Sequence, residues 1–236
     1  MVVAQRIQTS LLPEKAELKG YEALGYMKTA DEVGGDYYDT IRSGNRQFAV
    51  IGDVSGHGVT SGLVMMMAQT ILHTIINGNG KETTAEILSR ANVTLTQNIL
   101  KLKESKYMTM ILFEMKENGE VSFSGAHLDM LVYRLKTNRI ERLTSIGFWL
   151  GMEDDITSLT IEQKANLSEG DILLLYTDGV TEATDSERKL FGSKRLGEVL
   201  QANSSKPLET IKHSIIESLS NYETPDDVTL LLIKKI

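Results

Sequence analysis

The spacing of apolar and polar residues changes several times along this chain, and each change marks an element. Apolar runs at residues 21–27, 36–42 and 46–51 predict strands, with turns at Gly34-Gly35 and Ser43-Gly44-Asn45. Val59–Ile76, rich in Met, Leu and Ile, and residues 83–103 predict two long helices. Thr83 or Thr84 is placed to cap the second, with Glu86 in reach for a capping box. Strands return at 107–115 and 121–124, a hairpin around Glu117-Asn118-Gly119, and then at 130–135 and Arg139–Leu143. Ile172–Tyr176 is a continuous apolar run between Gly170-Asp171 and Asp178-Gly179, the pattern of a buried strand. Helices at 196–201 and 208–222 precede a last strand at 228–233.

This order does not alternate strand with helix, so it predicts an α+β domain with helices packed outside antiparallel sheets. At the start, Val3, Ile7 and Leu11 recur at four-residue spacing until Pro13. They predict a helix that is either the tail of a longer one joined to an upstream regulatory module or an element lying on its own domain. No repeat, low-complexity tract or Pro/Gly-rich linker divides the rest. The expected organisation is an N-terminal linker or regulatory helix at 1–13 and a single domain at 14–236.

Composition narrows the function. The 236 residues are 41% apolar, enough for a full core, and carry a net charge of −7. An acidic balance disfavours nucleic acid and anionic membrane as partners. The chain has no cysteine, which excludes thiolate nucleophiles, disulfides and zinc–thiolate sites. No signal-like or membrane-length apolar segment is evident in the sequence, so a cytoplasmic home is expected.

The chemistry lies in aspartates beside glycines or at the lips of strands: Asp36 after Gly34-Gly35, Asp53 in Gly52-Asp53-Val54-Ser55-Gly56-His57-Gly58, Asp178 before Gly179, and Asp226-Asp227 after Pro225. Taken singly, each has a plain reading as a cap or turn residue. If the strands share a sheet, the acids converge. Converging carboxylates repel unless a cation sits among them, and hard divalent ions such as Mg²⁺ and Mn²⁺ prefer oxygen ligands.

Together these segments resemble the metal-dependent serine/threonine phosphatases of the PPM, or type-2C, family, in its bacterial branch typified by SpoIIE and RsbU. The matching stretches run from Val33-Gly34-Gly35-Asp36-Tyr37-Tyr38-Asp39 through the Asp53 segment and Ser124-Gly125-Ala126-His127. They continue through Gly170-Asp171 to Tyr176-Thr177-Asp178-Gly179-Val180-Thr181-Glu182-Ala183 and end at Asp226-Asp227-Val228-Thr229. Ala4-Gln5-Arg6-Ile7-Gln8 and Leu11-Leu12-Pro13 are similar to the helix joining such domains to a regulatory module.

The resemblance implies two packed antiparallel sheets flanked by helix pairs, with two Mn²⁺ or Mg²⁺ ions at one edge. Asp53 would bridge the ions, with the Val54 carbonyl helping one. Asp178 and Asp226 would hold the other ion, Asp36 the second directly or through water, and Asp227 is the weaker ligand of its pair. The ions would activate a water for in-line attack on phosphoserine or phosphothreonine without a covalent phospho-enzyme. The implied partners are a phosphorylated protein of the anti-anti-sigma-factor type and an upstream sensor, with a homodimer through the N-terminal helix.

His57 is either the general acid for the leaving oxygen or an exposed histidine at a helix start. His127 sits where the family has Ala-Gly-His-x-Pro; here the segment reads Gly125-Ala126-His127-Leu128-Asp129, which favours a structural role. His73 and His213 read as ordinary helix positions, Met65-Met66-Met67 as core packing or an adaptable contact face, and Lys28 as a weak candidate for the phosphate. The competing functions are a catalytically silent binding module of the same fold and a hydrolase of small phosphoesters.

Overall fold

The computed structural model describes residues 8, 10–13, 17–78 and 80–236. In chain order its elements begin with β1 (Glu17–Leu18), β2 (Tyr21–Lys28), β3 (Tyr37–Ser43), β4 (Arg46–Val54), α1 (Val59–Ile76) and α2 (Thr84–Leu102). Next come β5 (Met108–Met115), β6 (Glu120–Ala126), β7 (Met130–Arg134), β8 (Arg139–Leu143), β9 (Gln163–Asn166) and β10 (Ile172–Tyr176). The chain closes with α3 (Asp178–Thr181), α4 (Gly192–Asn203), α5 (Leu208–Ser218) and β11 (Val228–Lys235).

The strands form two antiparallel sheets, one ordered β1-β2-β11-β10-β7-β8 and the other β3-β4-β5-β6-β9. Alternation along each strand divides its side chains between two cores. Ile51, Ile111, Phe113 and Phe123 of the five-stranded sheet face Val132, Leu173, Leu175 and Leu231 of the six-stranded one. Their alternates Val50 and Leu112 meet Met65, Leu72, Leu88 and Leu95 of α1 and α2. On the far side, Leu174, Leu230 and Leu232 meet Leu196, Leu200, Ile211 and Ile215 of α4 and α5. Each side chain buried in this way contributes roughly 1.5–3 kcal/mol. Sheets covered on both faces explain why β10 is buried at every position. The expected α+β architecture of two antiparallel sheets flanked by helix pairs is the one observed.

The capping box at Thr83 and Glu86 forms as expected. Three details differ. β1 and β9 carry no apolar signal; Gln163–Asn166 becomes a strand because it pairs with β6 at the sheet edge. The Asp178-Gly179 turn is the start of a helical turn. α5 stops at Ser218, and residues 219–222 turn back toward β11. The helix expected over residues 3–12 falls mostly outside the described residues; within it Gln8, Ser10 and Leu11 are helical. Among the described residues α1 alone is long and apolar enough to cross a membrane by length and composition, but it packs as a core helix beside α2.

Candidate metal centre

Asp36 is nearly fully buried at the entry to β3. Its Oδ2 accepts a hydrogen bond from Thr177 Oγ1 at 2.8 Å, which joins the end of β10 in one sheet to the start of β3 in the other. Asp227, at the entry to β11, accepts from three backbone N–H groups: Ala30 at 2.7 Å, Gly35 at 2.7 Å and Asp36 at 3.4 Å. The approach is close enough to require glycine. A Cβ on Gly34 would stand 2.3 Å from the Asp227 carboxylate, and one on Gly179 would stand 2.0 Å from the Asp227 carbonyl oxygen.

Asp53 is the penultimate residue of β4, opposite Thr109 of β5, and Val54 follows it. Asp178 opens α3. Asp226, just before the strand that Asp227 enters, accepts from the Asp227 N–H at 2.8 Å. The structure therefore brings Asp36, Asp53, Asp178, Asp226 and Asp227 from opposite sheets to one end of the sandwich.

Their charges act on one another. Burial, then the Asp53 and Asp227 charges, holds the Asp36 carboxyl well above the ordinary carboxylate range, while Thr229 and Thr177 pull it back. Burial, then Asp178, Asp226 and Asp227, pushes Asp53 up to about 8. Burial, then Asp226 and Glu182, raises Asp178. Burial also raises Asp227, although its three backbone donors oppose the change. Among the described residues no Lys, Arg or His forms an ion pair with any of the five. Among the described residues no three acidic or histidine side chains close on a single point, although Asp36 hydrogen-bonds Asp53 and so offsets part of the rise in its pKa. An uncompensated, partly buried set of hard oxygen donors fits a divalent cation on chemical grounds. Asp227 has the smallest share of lone pairs to give, because three amides already use them.

The histidines separate by environment. His57 is exposed in the loop after β4, and its Nδ1 donates to Asp31 Oδ2 at 2.5 Å. His127 Nε2 donates to the Tyr176 carbonyl at 2.9 Å and its Nδ1 accepts from Thr109 Oγ1 at 2.8 Å. Burial lowers its pKa to about 4, so the ring is neutral and links β5 to β10 just behind Asp53 and Asp178. His73 donates to the buried Asp39 at 2.7 Å, tying α1 to β3, and so does more than an ordinary helix position. His213 and Lys28 line a groove of about 410 Å³ between α5 and β2. Met65 is fully buried, with Met66 and Met67 packed on the same core.

Three residues near the centre have roles not assigned from the sequence. Lys106 Nζ donates to the Ser55 carbonyl at 2.8 Å and to Ser61 Oγ at 3.0 Å, holding the turn after Asp53. Gln8 grips Gly34 at both ends, accepting from its N–H at 3.0 Å and donating to its carbonyl at 2.6 Å. Thr177 is the third. Its place beside Asp178 was the only hint, since each of these contacts joins residues far apart in the chain.

Known proteins share this fold and about a quarter of its residues over most of the chain. A domain of SiaA from Pseudomonas aeruginosa, described as PP2C, superposes with a TM-score of 0.82 at 23% identity, covering 99% of this chain and 94% of that one. The RsbU and RsbW domains of a Mycobacterium tuberculosis protein superpose at 0.77 with 27% identity, over 92% of this chain and 60% of that one. The phosphoserine phosphatase RsbU of Bacillus subtilis is 24% identical over 99% of this chain and 69% of its own length. Protein IcfG of Synechocystis is 28% identical over 97% of this chain, which spans only 40% of that protein. The family model for stage II sporulation protein E matches residues 43–235. The chain belongs to the SpoIIE family, the RsbU-like branch of the PPM phosphatases.

Proposed function

We propose that this chain is a cytoplasmic, Mn²⁺- or Mg²⁺-dependent phosphatase of phosphoserine or phosphothreonine in a protein partner. The carrying observation is the gathering of Asp36, Asp53, Asp178 and Asp226 from two sheets with no cationic side chain among their described partners. A relative of the same fold, RsbX, was solved in complex with magnesium, with a TM-score of 0.66 at 14% identity.

Bound there, two such ions supply an activated water and neutralise charge on the phosphoryl oxygens. Asp36, Asp53, Asp178 and Asp226, with the Val54 carbonyl, would hold them, and Asp227 is the least committed ligand. Asp227 shapes the Gly34–Asp36 turn, Thr177 aims the Asp36 carboxylate, and Lys106 holds the turn after Asp53. His57, oriented through Nδ1 by Asp31, keeps Nε2 to give a proton to the leaving serine oxygen.

The substrate class follows that of its relatives, phosphoserine phosphatases that include RsbU and RsbP of Bacillus subtilis. A small phosphorylated domain of the anti-anti-sigma type suits that company. The domain begins after a regulatory segment at 1–13, and among the described residues Gln8 on Gly34 links that segment to the turn bearing Asp36.

The test is release of phosphate from an aryl phosphate with Mn²⁺, alongside calorimetric Mn²⁺ binding. Asp53→Asn is expected to lower turnover by about 10²–10³-fold, and chelation to abolish it. Activity that survives either change overturns the metal reading. Mn²⁺ binding with no turnover on any phosphoester would point instead to the silent binding module.

A further inference from the structure

The connection between β8 and β9 turns the molecule's one tryptophan outward. Phe148 packs on the helix-side core and Leu150 is buried, while Trp149 between them is 40% exposed and Met152 is 48% exposed. This loop is firmly pinned. Leu150 and Met108 exchange backbone hydrogen bonds of 2.8 and 2.9 Å. Asn92 of α2 accepts from the Gly151 N–H at 2.8 Å and donates to the Glu153 carbonyl at 2.7 Å. Trp149 stacks on Tyr107, with ring centroids 4.8 Å apart and planes 13° from parallel.

Tyr107 connects this stack to the aspartate centre. Asp53 lies opposite Thr109 and Val54 opposite Met108. The pairing runs one step further: the Ser55 N–H donates to the Tyr107 carbonyl at 2.9 Å, and the Tyr107 N–H donates to Ser55 Oγ at 3.1 Å. Strand alternation puts Tyr107, Thr109 and Asp53 on the same side. Two strand residues span about 7 Å. With the ring separation added, the Trp149 face lies roughly 10–15 Å from Asp53. Three or four extended residues of a bound chain cover that distance.

We infer that the Trp149–Tyr107 pair forms a docking platform for the segment flanking the phosphorylated residue of the protein substrate, and that it selects a large apolar side chain within about four residues of the phosphoserine. The inference rests on the phosphatase reading and deepens it. A rigid aromatic pair offers a partner apolar area at little ordering cost, because its own rotamers are fixed by stacking and by the pinned loop. The Trp149 face is exposed and Tyr107 is tied to Ser55 in the turn after Asp53, which suits a protein segment lying across both.

Two phosphoserine decapeptides test the inference with Mn²⁺ present, one with Leu and Ile on both flanks and one with only Gly and Ser. In the intact chain kcat/KM is expected to be about tenfold higher for the apolar peptide, the size of a single aromatic contact. The ratio should fall to about one in Trp149→Ala and be largely kept in Trp149→Phe. A ratio near one in the intact chain, or one unchanged by Trp149→Ala, overturns the platform. Trp149 fluorescence provides an arm independent of catalysis: in Asp53→Asn the apolar peptide should shift its emission saturably and the Gly/Ser peptide should not. Equal responses, or none, overturn the platform. Failure to release phosphate from either peptide or from an aryl phosphate counts against the phosphatase reading, and the emission titration still decides the platform.

Discussion

A carboxylate can shape a site through the backbone it holds. Asp227 accepts the N–H groups of Ala30, Gly35 and Asp36, and so draws the β2–β3 loop onto the start of β11. Asp227→Asn keeps the shape but turns an amide nitrogen toward backbone donors. A loss of about 1–3 kcal/mol in urea unfolding is expected, since buried donors would be left unpaired. An unchanged urea midpoint would refute this role. At this scale Asp36, Asp53, Asp178 and Asp226 were visible in the sequence because each sits at a strand lip beside glycine or proline. What Asp227 holds was not visible, since Gly35 lies 192 positions away along the chain.

Between elements, the critical join is the one from β5 to β10. His127 spans it, binding Thr109 beside Asp53 and the Tyr176 carbonyl just before Asp178. Removing that link should let the two halves of the acid set drift apart. His127→Ala is expected to weaken Mn²⁺ binding by about 10–100-fold, and Thr109→Val, which deletes one of the two bonds, by less. Calorimetry checks both, and equal affinities in all three proteins would exclude a positioning role. The element pattern itself was largely legible: the long helices, the hairpin at Gly119 and the buried run of β10 each follow from local periodicity. β9 was not, because an edge strand of Gln163–Asn166 owes its form to β6 and has no apolar alternation of its own.

For the whole molecule, the acid set links stability to pH. Asp53 titrates at about 8 in the fold against an ordinary 3.8, so the folded state keeps a proton that the unfolded chain has released. Without metal, stability should therefore fall as pH rises through this window. His127 acts oppositely below its ordinary 6.5: neutral in the fold down to about 4, it makes stability fall as pH drops. Above pH 6.5 the acids act alone. Melting of the chelated protein should thus shift downward between pH 6.5 and 8, less so in Asp53→Asn, and Mn²⁺ should raise the midpoint more at pH 8 than at pH 6.5. A flat chelated profile over that interval would contradict the coupling.

The sequence by itself determined most of the strands and helices, the edge strands β1 and β9 apart, and which acids stand at their ends, because periodicity, capping and turn chemistry act over a few residues. Tertiary structure alone decided that those acids meet, that Asp227 is spent on backbone amides, that His127 is neutral and ties β5 to β10, and that Trp149 faces outward near the Asp53 turn. Those outcomes depend on burial and on contacts between distant strands, and no local pattern records either.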